Sequence, residues 1–562
     1  MSYLDKVNEW KNYEGLASYL KEELKQMSDS ELKEAFSSDL EFGTGGLRGI
    51  LGPGTNRMNI YLVNRATLGF GRYLQKFDNA LERGICISHD NRHHSRDFAE
   101  SAAHVLTKMG YTVYLFEDLR PTPELSFSVR ENHAVGGIMI TASHNPKEYN
   151  GYKIYDEDGC QLLPEDANEV INEINKIDNM FTIPQSDDDF KIIKMGKEMD
   201  DIYISKVKTI VRNPNYKKDF KIVYTPLHGT GQVFIPNVLQ SLGYQVTPLA
   251  CQMTKDPDFS NVKTSNPENK EAYDEAIELA NQIGANVVLA TDPDADRLGV
   301  AVKHNGEFVL LTGNQSATVI YDYLIKMALR NKEDLSKSYM FSTIVSSSLP
   351  VEIAKKYNMN YKLSLTGFKY IGNFAKEIEG KANYFFGFEE SYGCLIKDFV
   401  RDKDSLQACL MLCEACAYYY EQGKDLYEAL IDIYNEYGYY KDGITNISLK
   451  GLEGKEKINS TMSYFKNNEI SLPSFKILNK LNVESGEFID YTTSKTSKSD
   501  LPTSNVVKYE LEGGNWFVLR PSGTEPKLKV YYQIVGKTQE EADKLMEQLQ
   551  KEVKEIVLPL TK

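Results

Sequence analysis

A chain of 562 residues is too long for one hydrophobic core and should hold three to five domains, of which we expect four. Its formal net charge of −15 argues against nucleic acid or an anionic membrane as a partner, so an anionic small substrate would need a locally positive cleft. Hydrophobic residues make up 41% of the chain, yet no apolar run approaches the ~20 residues of a membrane helix.

The N-terminus and the cysteines both favour a cytoplasmic protein. Residues 1–6 lack the basic region and apolar core of a secretory signal. Seven cysteines in so long a chain form no disulfide framework, which indicates a reducing compartment. Cys409, Cys413 and Cys416 fall on one face of the helical pattern 406–419, and this spacing favours a buried helix face over a zinc site.

Residues 1–40 show helical spacing, and Ser28 with Glu31 resembles a capping box that opens the second of two helices. A glycine-rich stretch follows at 42–49. Its glycines would let the backbone approach a ligand closely, while Arg48 offers a fixed positive fork. By itself this stretch could equally be a plain turn.

From residue 85 onward strands and helices alternate. Strands are predicted at 85–87, 113–116 and 138–140, with helices near 96–109 and 123–132 between them, and the turn 88–92 follows the first strand. This alternation predicts a largely parallel sheet covered by helices.

Two more αβ units follow, and each ends in a polar loop after a strand. The second has strands at 221–224, 245–248 and 286–290 and a helix at 268–282. The third has strands near 339–344, 361–364 and 384–386. Past residue 440 shorter strands and two helical stretches predict a smaller α+β domain.

The loop after the strand 138–140 contains Ser143. A serine hydroxyl is a weak nucleophile at neutral pH and needs a base, a metal or a positive field beside it. His144, Lys147 and Lys153 all lie near it in the sequence. A lone Ser-His pair is also common in polar turns, so this loop alone does not identify a nucleophile, and the rest of the chain must supply further evidence.

Asp292, Asp294 and Asp296 alternate in the loop after the strand 286–290. If the loop curls, three carboxylates turn toward one point, which suits a hard divalent cation. An EF-hand is excluded, because its sixth position would be Arg297 and its twelfth Lys303. A solvated acidic turn is the alternative.

Two further loops could bind a phosphorylated sugar. Arg520 with Ser522, Gly523 and Thr524 offers a guanidinium, hydroxyls and backbone N–H groups for phosphate, although a hairpin turn is the alternative. Glu389 and Ser391 offer acceptors for sugar hydroxyls. Together with a nucleophilic serine and a divalent metal, these loops indicate phosphoryl transfer on a phosphorylated sugar.

In these four loops the chain closely resembles the α-D-phosphohexomutase family, and within it the glucose-type members. The loop 141–146 (Thr-Ala-Ser-His-Asn-Pro) is similar to the family's phosphoserine loop and 292–297 (Asp-Pro-Asp-Ala-Asp-Arg) to its magnesium loop. The segment 387–393 (Gly-Phe-Glu-Glu-Ser-Tyr-Gly) resembles its sugar loop and 520–524 (Arg-Pro-Ser-Gly-Thr) its phosphate loop. All four occur in the family's order.

The resemblance implies an α/β fold of three similar αβ domains with mixed, largely parallel sheets and a smaller α+β C-terminal domain, around a central cleft. The expected domains are 1–205, 206–312, 313–440 and 441–562. It also implies Mg²⁺, a small-molecule sugar phosphate as partner, and a Ser143 that passes its phosphoryl group to the substrate. The resulting glucose 1,6-bisphosphate turns around and rephosphorylates Ser143 from its other end. Whether the protein is a monomer or a dimer stays open.

The residues carried over by position fall into three groups. The catalytic residues are Ser143, Lys153, Arg48 and His144. The metal ligands are Ser143, Asp292, Asp294 and Asp296. The substrate-binding residues are Arg297, Thr366, Gly367, Glu389, Ser391, Lys403, Arg520, Ser522, Gly523 and Thr524.

One position departs from some members. Those members place a histidine in the sugar loop where this chain has Gly393, and Lys403 resembles the lysine that glucose-type members use nearby. Mannose and pentose phosphates stay open as alternative substrates, because related members share these motifs. A sugar-phosphate phosphatase is a remote alternative, and a non-catalytic sugar-phosphate sensor would not need Ser143 or three metal carboxylates.

Overall fold

Residues 2–43, 45–449, 451–522 and 526–561 are described by a computed structural model. The chain divides into two units, the first made of residues 1–341 and 367–427 and the second of residues 342–366 and 428–562. Within the described residues, no helix combines the length and the apolar composition needed to cross a bilayer.

Three helices precede the first sheet, so the expectation of two was wrong. They are α1 (Tyr3–Asn12), α2 (Ser18–Gln26) and α3 (Asp29–Phe36). α1 ends at Asn12, and the extended backbone of Tyr13 leads into the turn at Gly15 that separates α1 from α2. The Ser28–Glu31 capping box is confirmed, but it opens the third helix.

The first αβ segment forms a six-stranded sheet. Its elements are β1 (Leu47–Ile50), α4 (Ile60–Leu74), α5 (Ala80–Arg83), β2 (Ile85–His89), α6 (Ser95–Lys108), β3 (Val113–Phe116), α7 (Thr122–Glu131), β4 (Gly136–Ile140), β5 (Tyr149–Tyr155), α8 (Pro164–Asn175) and β6 (Ile192–Met195). The strand order is β1-β5-β4-β2-β3-β6. β4, β2, β3 and β6 are parallel, whereas β5 pairs antiparallel with β4, and β1 pairs antiparallel with β5 at the edge. The loops after β4, β2 and β3 therefore meet at one edge.

The second segment repeats this plan with five strands. Its elements are α9 (Lys197–Lys208), β7 (Lys221–Thr225), α10 (Ile235–Ser241), β8 (Gln245–Pro248), α11 (Asp274–Ile283), β9 (Val287–Thr291), β10 (Leu298–His304) and β11 (Glu307–Leu311). The order is β11-β10-β9-β7-β8, with β9, β7 and β8 parallel. α11 begins six residues later than the predicted 268, because residues Lys270–Tyr273 form a 3-10 helix ahead of it.

The third segment comprises α12 (Gly313–Arg330), β12 (Ser338–Thr343), α13 (Leu349–Lys356), β13 (Asn360–Ser364), α14 (Phe368–Ile378), β14 (Asn383–Glu389), β15 (Gly393–Leu395) and α15 (Ser405–Tyr420). β14 pairs in parallel with β12 and antiparallel with β15. Cys409, Cys413 and Cys416 are buried in α15, as predicted.

The C-terminal part of the chain has a different architecture. It comprises α16 (Leu426–Tyr437), β16 (Tyr439–Ser448), α17 (Gly451–Asn467), β17 (Ile477–Asn482), β18 (Glu487–Asp490), β19 (Lys495–Lys498), β20 (Val507–Leu511), β21 (Trp516–Pro521), β22 (Lys527–Gly536) and α18 (Gln539–Thr561). The sheet order is β16-β22-β21-β20-β17-β18-β19, and every pairing is antiparallel. The expected class of three αβ segments followed by a smaller α+β domain is confirmed.

Candidate active site

Ser143 lies in the loop that follows β4, at the carboxyl edge of the first sheet. Its φ of 51° is left-handed, a conformation that costs a non-glycine residue about 1–3 kcal/mol. The Ser143 N–H donates to Thr141 Oγ1 (2.8 Å), and the residue is buried. Such strain persists only where neighbouring groups hold the backbone in place.

Arg92 holds this backbone. Its guanidinium donates to the carbonyl oxygens of Ser143 (2.6 Å), Asn145 (2.5 Å), Pro146 (2.8 Å) and Tyr149 (3.1 Å). The side chain is fully buried, and Asp90 Oδ2 lies 3.2 Å from its Nε. No sequence pattern marks this role of Arg92 beyond its position in the turn after β2. That turn meets the serine loop because β2 and β4 are parallel neighbours.

The three aspartates after β9 converge. One carboxylate oxygen of each lies within 4.8 Å of the others, and Asp292, Asp294 and Asp296 are all buried. The Oδ1 atoms of Asp294 and Asp296 accept no hydrogen bond from the described residues. Buried carboxylate oxygens without donors fit a hard cation with oxygen ligands, so these residues could hold a metal ion. Their burial argues against a merely solvated turn.

The negative charge of this loop is crowded. Burial, then the charges of Asp296 and Asp294, raises the pKa of Asp292 well above its usual range. Burial acts on Asp294 as well, but Lys153 outweighs it and holds the pKa of Asp294 below its usual range. The aspartates therefore repel one another, and a bound cation would relieve this repulsion.

Two lysines from separate segments neutralise part of that charge. Lys153 Nζ lies 2.8 Å from Asp294 Oδ2 and 3.7 Å from Asp296 Oδ2. Lys403 Nζ lies 2.9 Å from Asp296 Oδ2. Burial would lower the pKa of both lysines, but the neighbouring aspartates outweigh it and raise both pKa values above the ordinary one. Both side chains are therefore ammonium groups.

The Ser143 hydroxyl reaches the aspartate loop. Its Oγ donates to Asp292 Oδ2 (2.8 Å), and His144 Nδ1 lies 3.2 Å from the same Oγ. Burial, then the charges of Arg297 and Arg48, lowers the pKa of His144 well below its usual range, so the imidazole is neutral. The predicted nucleophile and the predicted metal loop, 149 residues apart in sequence, therefore share a hydrogen bond.

Two arginines flank these groups. Arg48 on β1 is exposed, and its Nη1 donates to Asn145 Oδ1 in the serine loop (3.0 Å). The Arg297 N–H donates to Asp292 Oδ1 (3.0 Å), while its guanidinium pairs with Glu268. Glu268 was not predicted, and nothing in the sequence pattern marks it. The pair holds Arg297 beside the aspartate loop.

The sugar loop follows β14. Glu389 is buried at the end of the strand, and its Oε1 accepts a hydrogen bond from the Gly367 N–H (2.6 Å). Gly367 has φ 124°, which favours glycine, at the start of α14. Burial raises the pKa of Glu389. Ser391 is half-buried in the turn after the strand, and Thr366 is half-buried just before Gly367.

The phosphate loop lies in the second unit, in the hairpin between β21 and β22. Arg520 is half-buried opposite Lys529, and the Ser522 N–H donates to the Lys527 carbonyl (2.7 Å). Gly523 and Thr524 lie outside the described residues. The first unit thus contains the serine, metal and sugar loops, and the second contains the described part of the phosphate loop.

Four family models match successive parts of the chain. They are phosphoglucomutase/phosphomannomutase α/β/α domain I at residues 39–181, domain II at 201–306, domain III at 312–437 and the C-terminal domain at 478–552. The matched residues cover most of the chain and include every loop described above.

Whole-length relatives carry related names. A phosphoglucomutase of Staphylococcus aureus strain MRSA252 is 39% identical over 533 residues, which cover 92% of this chain and 93% of that protein. A phosphoglucomutase of Staphylococcus epidermidis is 36% identical over 524 residues, covering 92% and 94%.

Solved structures share the fold. A phosphoglucomutase/phosphomannomutase family protein of Burkholderia thailandensis aligns with a TM-score of 0.67 at 15% identity, covering 92% of this chain and 98% of its own. The open form of pp63/parafusin, a phosphoglucomutase of Paramecium, aligns with a TM-score of 0.66 at 17% identity, covering 92% and 95%. At these identities the likeness concerns the fold alone.

Proposed function

Because the chain belongs to the phosphoglucomutase/phosphomannomutase family of phosphotransferase isomerases, we propose that it interconverts α-glucose 1-phosphate and glucose 6-phosphate. The observation that carries the proposal is the hydrogen bond between Ser143 and Asp292 in a buried loop fixed by Arg92. Relatives named phosphoglucomutase over nearly their whole length support glucose as the sugar.

Ser143 is the phosphoryl carrier in this proposal. Its phosphoryl group passes to the free hydroxyl of the bound sugar phosphate, which yields glucose 1,6-bisphosphate and the Ser143 hydroxyl. The bisphosphate reorients, and its other phosphoryl group returns to Ser143. In each transfer one P–O bond breaks, another forms, and the proton of the attacking hydroxyl ends on the departing oxygen.

Arg48, His144 and Lys153 serve the transferred group. The Lys153 and Arg48 cations offset the negative charge of the phosphoryl oxygens, and Lys153 is the candidate general acid/base for the proton that changes oxygen. His144, 3.2 Å from Ser143 Oγ, orients that oxygen. We assign Mg²⁺ to Asp292, Asp294, Asp296 and the phosphorylated Ser143. When bound, Mg²⁺ would offset charge on the transferring phosphoryl group.

The remaining residues hold the substrate. Glu389 and Ser391 are assigned to sugar hydroxyls, Thr366 and Gly367 to further substrate contacts, and Lys403 and Arg297 to the sugar phosphate. Arg520, Ser522, Gly523 and Thr524 are assigned to the phosphate that is not reacting. A guanidinium with backbone N–H groups suits that task because it binds phosphate at two points.

Three broader assignments belong to the same proposal. Glucose 1,6-bisphosphate acts as activator as well as intermediate, because it can rephosphorylate a Ser143 that has lost its phosphate. A cytoplasmic location is supported by seven cysteines that form no disulfide with one another. Four domains with boundaries near residues 205, 312 and 440 are supported by the four matched segments.

Ser143→Ala tests the proposal. The change should remove nearly all mutase activity and leave the fold intact, because a polar loop residue contributes little to the core. Ser128→Ala is the matched control: Ser128 is also buried and donates to one carbonyl, Leu125 O at 2.9 Å, but lies on α7 away from the aspartates. Intact mass should show one labile phosphate in the control and none in the Ser143 variant.

Substrate and metal complete the test. A coupled assay with glucose, mannose, glucosamine and ribose 1-phosphates should show the highest kcat/KM for glucose, and Mg²⁺ should restore activity removed by a chelator. Release of inorganic phosphate in place of the isomer would identify a phosphatase. Substantial turnover by a folded Ser143→Ala protein would exclude a phosphoserine mechanism.

A further inference from the structure

The segment that carries Lys403 is tied down on both sides. The Arg401 N–H donates to Ser126 Oγ (2.9 Å) on α7. On the other side, the Ser405 hydroxyl donates to the Ala295 carbonyl (2.5 Å) in the aspartate loop. Lys403 therefore stands in a short stretch whose ends are fixed to two other segments of the first unit.

Asp402 connects this stretch to β5. Its Oδ1 accepts the Lys403 backbone N–H (2.8 Å), and its Oδ2 accepts the Tyr155 hydroxyl (2.9 Å). Tyr155 and Asp402 are both buried. Burial, then the charge of Asp402, raises the pKa of Tyr155 well above its usual range, so the hydroxyl keeps its proton and acts as the donor.

β5 carries both Tyr155 and Lys153. Residues two apart in a strand point to the same face, and Lys153 reaches Asp296 Oδ2 at 3.7 Å while Lys403 reaches the same oxygen at 2.9 Å. Each of three segments, β5, the aspartate loop and the stretch around Lys403, is therefore bonded to the other two.

Gly393 leaves room for the Lys403 side chain. A Cβ at position 393 would stand 1.9 Å from Lys403 Cδ and 2.7 Å from its Cγ. The Lys403 ammonium lies 5.7 Å from the centre of the Phe368 ring. The aliphatic part of the Lys403 side chain thus passes over Gly393, the only glycine of β15. Its ammonium points toward Asp296.

A free lysine side chain loses rotamer entropy when its ammonium is fixed. The backbone on each side of Lys403 is anchored and its stem is confined, so the side chain is already ordered in the free protein. Less entropy is then lost when the substrate binds. The contacts around Lys403 therefore hold its side chain in place before the substrate binds.

We propose that Tyr155 and Asp402 are positioning residues, which act through the Lys403 backbone and through the Lys403 ammonium, 3.5 Å from Asp402 Oδ1, to hold the two lysines at a fixed separation. Gly393 keeps the path of the Lys403 stem open. The inference rests on the proposed function, because Lys403 is taken to contact the sugar phosphate. It explains why a glycine stands at position 393 where the stem of Lys403 passes.

The test compares two tyrosines of β5 in two backgrounds. Tyr155→Phe removes the hydroxyl that bonds Asp402. Tyr152→Phe is the control, because Tyr152 is equally buried and its hydroxyl accepts from Thr67 (3.0 Å). Both changes are made in the wild type and in Lys403→Ala, and kcat, KM, melting temperature and Ser143 phosphorylation are measured.

We expect Lys403→Ala to lower kcat/KM for glucose 1-phosphate on the order of 10²-fold. Tyr155→Phe should lower it about tenfold, mostly through KM, and by less than twofold when Lys403 is already alanine. Tyr152→Phe should change kcat/KM by less than twofold in both backgrounds. Gly393→Ala gives a second route: it should lower kcat/KM as Tyr155→Phe does in the wild type and have no effect in Lys403→Ala, whose shortened side chain no longer crosses that position.

Equal kinetics for the two tyrosine variants would overturn the inference, as would a tenfold fall for Tyr155→Phe that persists in Lys403→Ala. If Tyr155→Phe does not fold, the Gly393→Ala pair decides in the same way. Wild-type turnover and the Ser143 phosphate test the proposed function separately, so its failure is distinguishable from failure of the positioning role.

Discussion

At the scale of single residues, Arg92 controls the geometry of the serine loop. Four backbone carbonyls receive hydrogen bonds from one buried guanidinium, and these bonds hold Ser143 in a left-handed conformation. A lysine has the same charge but a single nitrogen, and it cannot reproduce this planar fork.

Arg92→Lys should therefore lower kcat on the order of 10²-fold, because a displacement of about 1 Å at the reacting oxygen can cost that much. It should also reduce the free energy of unfolding by about 3 kcal/mol, since buried acceptors lose their donors. Steady-state kinetics and urea unfolding measure the two effects.

Arg83→Lys is the matched control. Arg83 also donates to two carbonyls, those of His133 (3.0 Å) and Ala134 (3.3 Å), and to Glu157 (2.7 Å), but it lies away from the serine loop. The control should lose stability and keep its kcat. Unchanged kcat in Arg92→Lys would show that the loop holds its shape without the guanidinium.

At the scale of elements, the pairing of β1 with β5 determines the position of Arg48 beside the serine loop. Gly46 has φ 100°, and a Cβ there would stand 1.9 Å from the Tyr152 carbonyl oxygen in β5. Gly306 has a comparable φ of 90°, and apart from its chain neighbours no described residue has an atom within 4 Å of such a Cβ. Replacing each glycine by alanine therefore distinguishes two energetic costs. Gly306 reports the cost of a positive φ alone, and Gly46 reports that cost together with the steric clash.

Gly306→Ala should destabilise the protein by about 1 kcal/mol, the cost of the left-handed conformation alone. Gly46→Ala should cost several kcal/mol and lower kcat, because the strand must move and Arg48 moves with it. Thermal unfolding and kinetics of both variants check this. Equal destabilisation would mean that the Tyr152 carbonyl yields without penalty.

The N-terminus of α15 predicts a pH effect. Burial raises the pKa of Asp404 from 3.8 to about 6, and Asp404 caps the helix through the Leu406 and Gln407 N–H groups. Because the folded pKa lies above the unfolded one, the group's contribution to stability is fully present below pH 3.8 and is lost as pH rises through about 6.

Asp404→Asn keeps a capping oxygen and removes this titration. The difference in unfolding free energy between wild type and variant should therefore shift by up to about 3 kcal/mol between pH 4 and pH 7, with the wild type relatively stronger at the acid end. Urea unfolding at several pH values measures the difference. A pH-independent difference would contradict a raised Asp404 pKa.

At the scale of the whole molecule, a net charge of −15 makes an anionic substrate depend on local cations. A mutase must retain a bisphosphate that is anionic at both ends while it reorients, whereas a phosphatase need not. Arg520 is therefore assigned to the phosphate that is not reacting.

Arg520→Ala should lower kcat/KM on the order of 10²-fold, equivalent to ~3 kcal/mol, because binding energy at the remote phosphate helps to position the reacting end. It should also release glucose 1,6-bisphosphate more often, so that activity depends more strongly on added bisphosphate. Coupled kinetics with and without bisphosphate measure this. Lys495→Ala, an exposed cation on β19, is the control and should behave as wild type.

The chemistry of the site was predictable from the sequence wherever it was local. Ser143 and the three aspartates each follow a buried strand directly, and alternating strands and helices place such loops at one edge of a parallel sheet. The spacing of Asp292, Asp294 and Asp296 was enough to indicate a cation site, because neighbours in one loop must be close in space.

Only the tertiary structure decided which distant residues support these loops. Arg92 precedes the carbonyls it binds by 51–57 positions, and Tyr155 precedes Asp402 by 247. No local pattern marks such pairs, since their contact depends on strand order and on packing between segments. The path of Lys403 over Gly393 is likewise set by the backbone of two segments, whereas the residue types at the reacting centre were already fixed by what phosphoryl transfer requires.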